Sequence, residues 1–149
     1  MPETATWSNR LGSDHSLALA NLVAGLTDQA SAHRLGVSER TIQRRIRELM
    51  DWSASVNRMQ LGHRAALAAV DDLACLPLPQ RRRPEPPTIH TPDAATMRLL
   101  RLLLDDAAAD RTLNMSASSI ERRIRELMKL AGARSRAQLG WRTTWWGWL

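Results

Sequence analysis

The chain has 149 residues, and its 21 Lys and Arg outnumber 15 Asp and Glu to give a formal net charge of +6 at pH 7. This balance favours polyanionic partners, nucleic acid before an anionic membrane surface. A single cysteine excludes a disulfide within the chain and an all-cysteine metal site. Because no apolar run approaches the roughly 20 residues of a membrane helix and the N-terminus lacks a signal-peptide pattern, we expect a cytoplasmic protein with no membrane contact.

The chain contains one unit twice. The string RRIRELM occurs at residues 44–50 and again at 122–128, so equivalent residues differ by 78 (122 − 44). The copies are predicted to span residues 13–76 and 91–149. Between them, residues 77–90 hold five of the seven prolines and three consecutive arginines, which predicts an extended linker that can reach roughly 40 Å.

Each copy reads as four short helices without any alternating strand pattern, so the predicted fold class is all-α. In copy one, helix one is expected to follow an N-cap at Ser13. In copy two, the sequence Thr-Pro-Asp at residues 91–93 is expected to supply the cap, with Pro92 at the first helical position, where its missing N–H costs nothing.

A short turn separates the second and third helices of each copy. Helix two of copy one is predicted to follow a cap at Thr27 and to end at Gly36 in the left-handed conformation. Asn114 replaces Gly36 in copy two, and Asn also tolerates a positive φ. Ser38 and Ser116 are expected to cap the third helices. The fold is therefore predicted as two tandem four-helix helix-turn-helix domains joined by a Pro/Arg-rich linker.

The third helix of each copy has an apolar face and a polar face. In copy one, Ile42, Ile46 and Leu49 form a stripe that should face the core. The opposite side carries residues that can read base edges in a major groove. In copy one they are Arg40, Gln43, Arg44 and Arg47, and in copy two Ser118, Glu121, Arg122 and Arg125. Alternatively, this is a solvated helix face on which Glu48 and Glu126 pair with the arginines four residues earlier.

Both copies resemble the LuxR/GerE type of helix-turn-helix domain. The resemblance rests on residues 22–28 and 32–42 in copy one, and on 91–93 and 133–139 in copy two. The resemblance implies base contacts at Gln43, Arg44 and Arg47. It also implies phosphate contacts near Thr41 and Arg45.

The same resemblance carries the phosphate-contact positions to Ser119 and Arg123 in copy two. This chain also departs from the family pattern. Where the family usually has Lys and, two positions on, His, copy one has Gln43 and Arg45, and copy two has Glu121 and Arg123. A different sequence preference is therefore expected.

The fourth helix of each copy is predicted to begin at a capping-box pattern, Asn57 with Gln60 and Ser135 with Gln138. In copy two, three tryptophans then fall on one helix face. They are Trp141, Trp145 and Trp148. Such a face needs a partner surface, and the resemblance implies dimerisation through helix four, so a homodimer is one expectation. Packing onto the chain's own small cores is the other.

No arrangement of residues predicts catalysis, a metal site or a cofactor. The four histidines sit singly, without metal-ligand spacing. We therefore expect a protein that is not an enzyme and needs no cofactor. The use of Arg rather than Lys, with Lys129 the only lysine, favours a bacterial source with GC-rich coding DNA.

Together these features predict a sequence-specific regulator of transcription that binds double-stranded DNA at the bacterial nucleoid, with its two domains in neighbouring major grooves. Two alternatives stay open. The first is a DNA-binding accessory protein of a mobile element, acting in transposition or plasmid partition. The second is an interaction module that contacts RNA polymerase or another regulator through the tryptophan face.

Overall fold

The computed structural model describes residues 11–71, 92–105 and 109–149, and the predicted linker at 77–90 lies outside these ranges. The described residues form helices and no strand, which confirms the all-α class. The helices are α1 Ser13–Val23, α2 Asp28–Leu35, α3 Glu39–Ser53, α4 Arg58–Asp71, α5 Ala94–Leu104, α6 Ala109–Leu113, α7 Ala117–Ala131 and α8 Arg136–Trp145. Helices α3 and α7 begin and end at equivalent residues of the two copies.

Membrane-spanning helices are absent from this part of the chain. None of the helices within residues 11–71, 92–105 and 109–149 is both long enough and apolar enough to cross a bilayer.

Side-chain caps begin most of the helices where the sequence predicts them. Thr27 accepts a hydrogen bond from the Ala30 N–H at 3.1 Å. Ser38 and Ser116 accept bonds from the N–H groups three residues later at 3.1 and 3.2 Å. Each cap satisfies an N–H group that has no partner within its own helix.

Two predictions for the starts of α1 and α5 are wrong by one position or more. Gly12, not Ser13, is the N-cap of α1, because the Ser16 N–H already bonds to the Gly12 carbonyl at 3.0 Å. Pro92 precedes the cap of α5 instead of occupying its first turn. The cap is Asp93, whose carboxylate accepts from the Thr96 N–H at 2.7 Å.

Left-handed residues end the helices at matching places in the two copies. Gly36 has φ 67° and Asn114 has φ 53°, which confirms the predicted turns between the second and third helices. A second matching pair follows the third helices: Ala54 has φ 53° and Gly132 has φ 60°. An alanine in this conformation is strained, because its Cβ approaches the following carbonyl oxygen.

Two clusters of buried side chains form the core, and each one takes residues from both copies. The first core contains the apolar residues of α1 to α4 together with Ala137 and Trp141 from α8. The second core contains those of α5, α7 and α8 together with Met59 from α4. Neither copy therefore completes its own core.

Helices α4 and α8 cross closely at two glycines and make the most extensive contact between helices in the structure. A Cβ on Gly62 would overlap the carbonyl oxygen of Ala137, and a Cβ on Gly140 would overlap that of Met59. Ala137 is the equivalent of Met59, and Gly140 is the equivalent of Gly62. The two contacts therefore join equivalent pairs of residues, with the roles of the two copies exchanged.

The starts of α4 and α8 also contact the opposite copy. The Asn57 amide donates to the Leu103 carbonyl at 3.2 Å, and the Gln60 amide donates to the Leu104 carbonyl at 3.1 Å. On the other side, the Gln138 side chain lies against Gly25, the residue equivalent to Leu103, so closely that a Cβ there would be 2.5 Å from Oε1. Each fourth helix thus packs on the end of the other copy's first helix.

Candidate nucleic-acid interface

Helix α3 buries its apolar stripe and exposes its polar face. Ile42, Ile46 and Leu49 are buried in the first core. The predicted base-reading residues lie together on the exposed side of the helix. They are Arg40, Gln43, Arg44 and Arg47. The structure therefore brings these four side chains onto one surface, here called the α3 face.

Helix α7 has the same arrangement at equivalent positions. Ile120, Ile124 and Leu127 are buried in the second core. The predicted residues of copy two lie on its exposed side, here called the α7 face. They are Ser118, Glu121, Arg122 and Arg125. Because both helices have the same length and begin at a serine N-cap, the two faces present equivalent residues in equivalent places.

The residues predicted to contact phosphates are less alike. Only 13% of the Arg45 side chain is exposed, and its Nη2 lies 3.6 Å from the Asp14 carboxylate of α1. Its equivalent, Arg123, is exposed. Thr41 and Ser119 are partly buried, and each lies 2.9 Å from the hydroxyl of the serine that caps its helix. Arg45 would have to leave Asp14 to reach a phosphate.

On or beside each of the two faces, an acidic residue pairs with a nearby arginine. Glu48 lies 3.8 Å from Arg44 and accepts from His15 at 2.6 Å, so its charge is shared between two partners. On α7, the Glu121 carboxylate lies 3.6 Å from the Arg136 guanidinium. The pairs of Glu48 with Arg44 and of Glu121 with Arg136 are exposed, and such pairs contribute little to stability. They leave the side chains free to exchange partners.

The C-terminal ends of α3 and α7 are tied to the fourth helix of the same copy. The Arg64 guanidinium donates to the carbonyl of Ser53, the last residue of α3. Arg142 donates to the Ala131 and Gly132 carbonyls at 2.9 and 2.6 Å. Burial, and then the charge of Arg134, lower the pKa of Arg142. A cation at a helix C-terminus also interacts favourably with the helix dipole.

A partly buried ion pair holds the start of α2, and the sequence did not predict it. Arg58 donates two hydrogen bonds to the Asp28 carboxylate, at 2.8 and 2.7 Å. This hydrogen bonding raises the pKa of Arg58. The fork geometry is specific to Arg and fixes α2 against α4. The two residues are 30 positions apart in the sequence, so no local pattern indicates the pairing.

The predicted interface tryptophans lie against the chain's own cores. Trp141 is buried in the first core, and Trp145 packs against that core with its ring 5.7 Å from that of Trp141. Trp148 is buried in the second core beside Trp146, at a ring distance of 4.9 Å. Because α8 ends at Trp145 and Gly147 turns the chain with φ 76°, the prediction that the three tryptophans share one helix face is wrong. Helix α8 itself packs against α4 of the same chain.

The part of the chain that the structure describes contains no group of three or more His, Cys, Asp or Glu residues that could hold a metal ion. Comparison of the chain with family models, curated proteins and solved structures gave no match in any of the three. The resemblance to the LuxR/GerE type therefore rests on the residues themselves.

Proposed function

We propose that the protein binds double-stranded DNA through the α3 and α7 faces and regulates transcription from the sites that it binds. The observation that carries the proposal is the presence of two equivalent, exposed, Arg-containing helix faces in one chain, each following a short capped turn. An α-helix fits the major groove of B-DNA, where base edges can be read.

The side chains on the α3 face match the chemistry of base readout. Arg44 and Arg47 can each donate two hydrogen bonds to guanine O6 and N7, and Gln43 can pair with adenine. Ile42 and Ile46 are buried on the opposite side of the helix, and their packing would hold it rigidly enough for such contacts. On the α7 face, Arg122 and Arg125 supply the same guanine chemistry.

Phosphate contacts would come from groups at the edges of these faces. Arg123 is exposed at the side of α7. The net charge of +6 adds a long-range attraction for DNA. Arg64 and Arg142, which tie the ends of the two helices, would keep each face in place relative to the α4 and α8 crossing.

The burial of the tryptophans favours DNA over the interaction-module alternative. That alternative needs an exposed aromatic face, and 3% of Trp141 and 9% of Trp148 are exposed. We therefore propose the DNA-binding function and treat binding to RNA polymerase as a separate property, with no surface assigned to it.

The test is a titration of a labelled duplex pool with the full chain at several salt concentrations. Six to ten phosphate contacts should lower the affinity by about 10³ to 10⁵ between 50 and 200 mM salt. Selection of bound sequences from random DNA then gives the site, and transcription in vitro from a promoter that carries it tests regulation. An affinity that does not change with salt would contradict DNA binding.

A further inference from the structure

The contacts between the two copies are reciprocal. Gly62 meets the Ala137 backbone, and the equivalent Gly140 meets the equivalent Met59 backbone. The fourth helix of copy one contacts Leu103 and Leu104 at the end of α5. In the same way, Gln138 contacts Gly25 after the end of α1.

Reciprocity of this kind distinguishes two ways of joining identical units. When residue i of one unit contacts residue j of the other, and j contacts i, the units are related by a two-fold rotation. In a head-to-tail arrangement, each unit would use a different surface. The contacts of α4 and α8 belong to the first kind, so an approximate two-fold axis relates the two copies within one chain.

A two-fold axis reverses the direction of one recognition helix relative to the other. Proteins with this symmetry bind sites with the same symmetry, because each half of the protein then meets its half-site in the same way. A flexible linker alone would allow the two copies to bind half-sites in either orientation. Here the crossing of α4 and α8, with the ties from Arg64 and Arg142, sets the orientation instead.

We infer that a single chain, acting as its own dimer, binds an inverted pair of half-sites that differ from each other. This inference rests on the proposed DNA-binding function. The difference follows from the equivalent residues Gln43 and Glu121, which are both exposed. Gln pairs with adenine, whereas Glu accepts from the N4 amino group of cytosine. The same place in the two half-sites therefore holds an A·T pair in one and a C·G pair in the other.

The experiment compares duplexes built from the two half-sites that the full chain selects from random DNA. One duplex carries them inverted, a second carries them as a direct repeat, and a third is inverted with half a helical turn inserted between them. We expect one chain per duplex and an affinity for the first duplex at least about tenfold above that for the other two, since one good side-chain and base pairing is worth about that much.

Three outcomes would overturn the inference. They are equal affinity for inverted and direct duplexes, two chains on the inverted duplex, and selection of a single half-site. All three leave salt-dependent binding, and with it the proposed function, in place. Absence of binding to every duplex would instead contradict the proposed function, so the two failures are distinguishable.

A variant tests the assignment of the unlike base pair. Glu121→Gln places the side chain of copy one into copy two, at an exposed position whose contact with Arg136 is long and solvated. The selected half-site for copy two should then change from C·G to A·T at that place, while the half-site for copy one stays the same. A change in both half-sites, or in neither, would contradict the assignment.

Discussion

Ala54 and Gly132 occupy the same position in the two copies, and both have a left-handed backbone after the end of the third helix of the copy, α3 or α7. Only glycine adopts this conformation without a steric cost, which for other residues is about 1–2 kcal/mol. Copy one therefore carries a local strain that copy two lacks. The internal repeat makes this difference in backbone strain easy to identify, because each residue of one copy has an equivalent in the other.

Ala54→Gly should stabilise the protein by up to about 1 kcal/mol. Relief of the left-handed strain exceeds the cost of about 0.5–1 kcal/mol for the greater freedom of glycine in the unfolded chain. Urea unfolding followed by circular dichroism measures the change. The matched control is Gly36→Ala, which places an alanine at φ 67° in open space and should destabilise. A loss of stability in Ala54→Gly would contradict the account.

Arg44 and Arg45 are neighbours in the sequence, but they should contribute differently to DNA binding. Arg44→Ala should relax specificity at particular base pairs by about 1–3 kcal/mol, because Arg44 is on the exposed α3 face. Arg47→Ala should do the same at a different base pair.

Arg45→Ala should instead weaken binding nearly uniformly across sequences, since phosphate contacts carry no base information. The effect should be small, because Arg45 is mostly buried beside Asp14. Affinities for a set of single-base variants of the selected site measure both effects. If all three variants lose the same specificity, the assignment of the α3 face is wrong.

At the scale of elements, the close crossing of α4 and α8 decides how the copies are joined. Gly62 and Gly140 let the two backbones approach until no Cβ can fit between them. Glycine inside a helix costs about 1 kcal/mol relative to alanine, so the approach must recover more than that. Because Arg64 of α4 and Arg142 of α8 hold the ends of α3 and α7, this helix pair sets the orientation of both helices.

Gly62→Ala should destabilise the protein by about 2 kcal/mol or more. The added methyl group meets backbone atoms of α8, and the overlap outweighs the gain in helix propensity. Gly140→Ala should behave alike, because it makes the reciprocal contact. Thermal unfolding measures both variants. Gly12→Ala adds the same group in open space and serves as the control; it should cost less than about 1 kcal/mol, because alanine is a poorer N-cap for α1 than glycine. Equal effects of all three variants would contradict the close crossing.

His63 gives the crossing a pH dependence. Its Nδ1 lies 2.7 Å from the Thr144 hydroxyl of α8. Burial, and then the charge of Arg64, lower its pKa below the ordinary value. In the unfolded chain the ring protonates near pH 6.5. Below about that pH the unfolded state binds more protons, so stability should fall as the pH falls toward the folded pKa.

His63→Asn keeps an amide donor for Thr144 and removes the titrating group. The slope of unfolding free energy against pH should therefore be smaller in this variant as the pH falls below about 6.5. Urea unfolding at a series of pH values measures the slope. His33→Asn, at an exposed position of α2, makes the same substitution away from the crossing and is the control. An identical slope in His63→Asn and the parent would contradict the effect of burial.

At the scale of the whole molecule, the two copies share their cores. Trp141 belongs to copy two in the sequence but is buried among residues of copy one, and Met59 makes the opposite exchange. Domains of about 60 residues bury only about 60% of the surface of the unfolded chain and are marginally stable, and this exchange enlarges both cores. The two copies should therefore unfold as one unit.

Trp141→Ala should destabilise the protein by about 3–5 kcal/mol, and the cavity should form in the first core although the substitution is in copy two. Amide hydrogen exchange should show the loss of protection in α1 and α3 of the first core as well as in α8. Trp146→Ala is the control, since Trp146 packs only partly buried against the second core. Loss of protection confined to α7 and α8 in both variants would contradict the exchange of core residues.

Local chemistry in the sequence was enough to predict the helices, most of their caps, the turns at Gly36 and Asn114, and the polar faces of α3 and α7. These features depend on side-chain periodicity and on backbone preferences within a few residues, both of which a sequence displays directly. The errors at Ser13 and Pro92 were shifts in helix starts, where two neighbouring residues can each provide the cap.

Only the tertiary structure decided what each apolar face packs against. The spacing of apolar residues shows that one face of α8 is apolar, but it does not show that Trp141 packs in the core of the other copy. The hydrophobic effect is non-directional, so an apolar side chain can be buried in any core that has a suitable shape. In the sequence, Gly62 and Gly140 are simply residues of low helix propensity. Their role in the close crossing is evident only from the opposing backbone beside them. The reciprocal contact, and with it the orientation of α3 and α7, comes from packing between residues far apart in the chain.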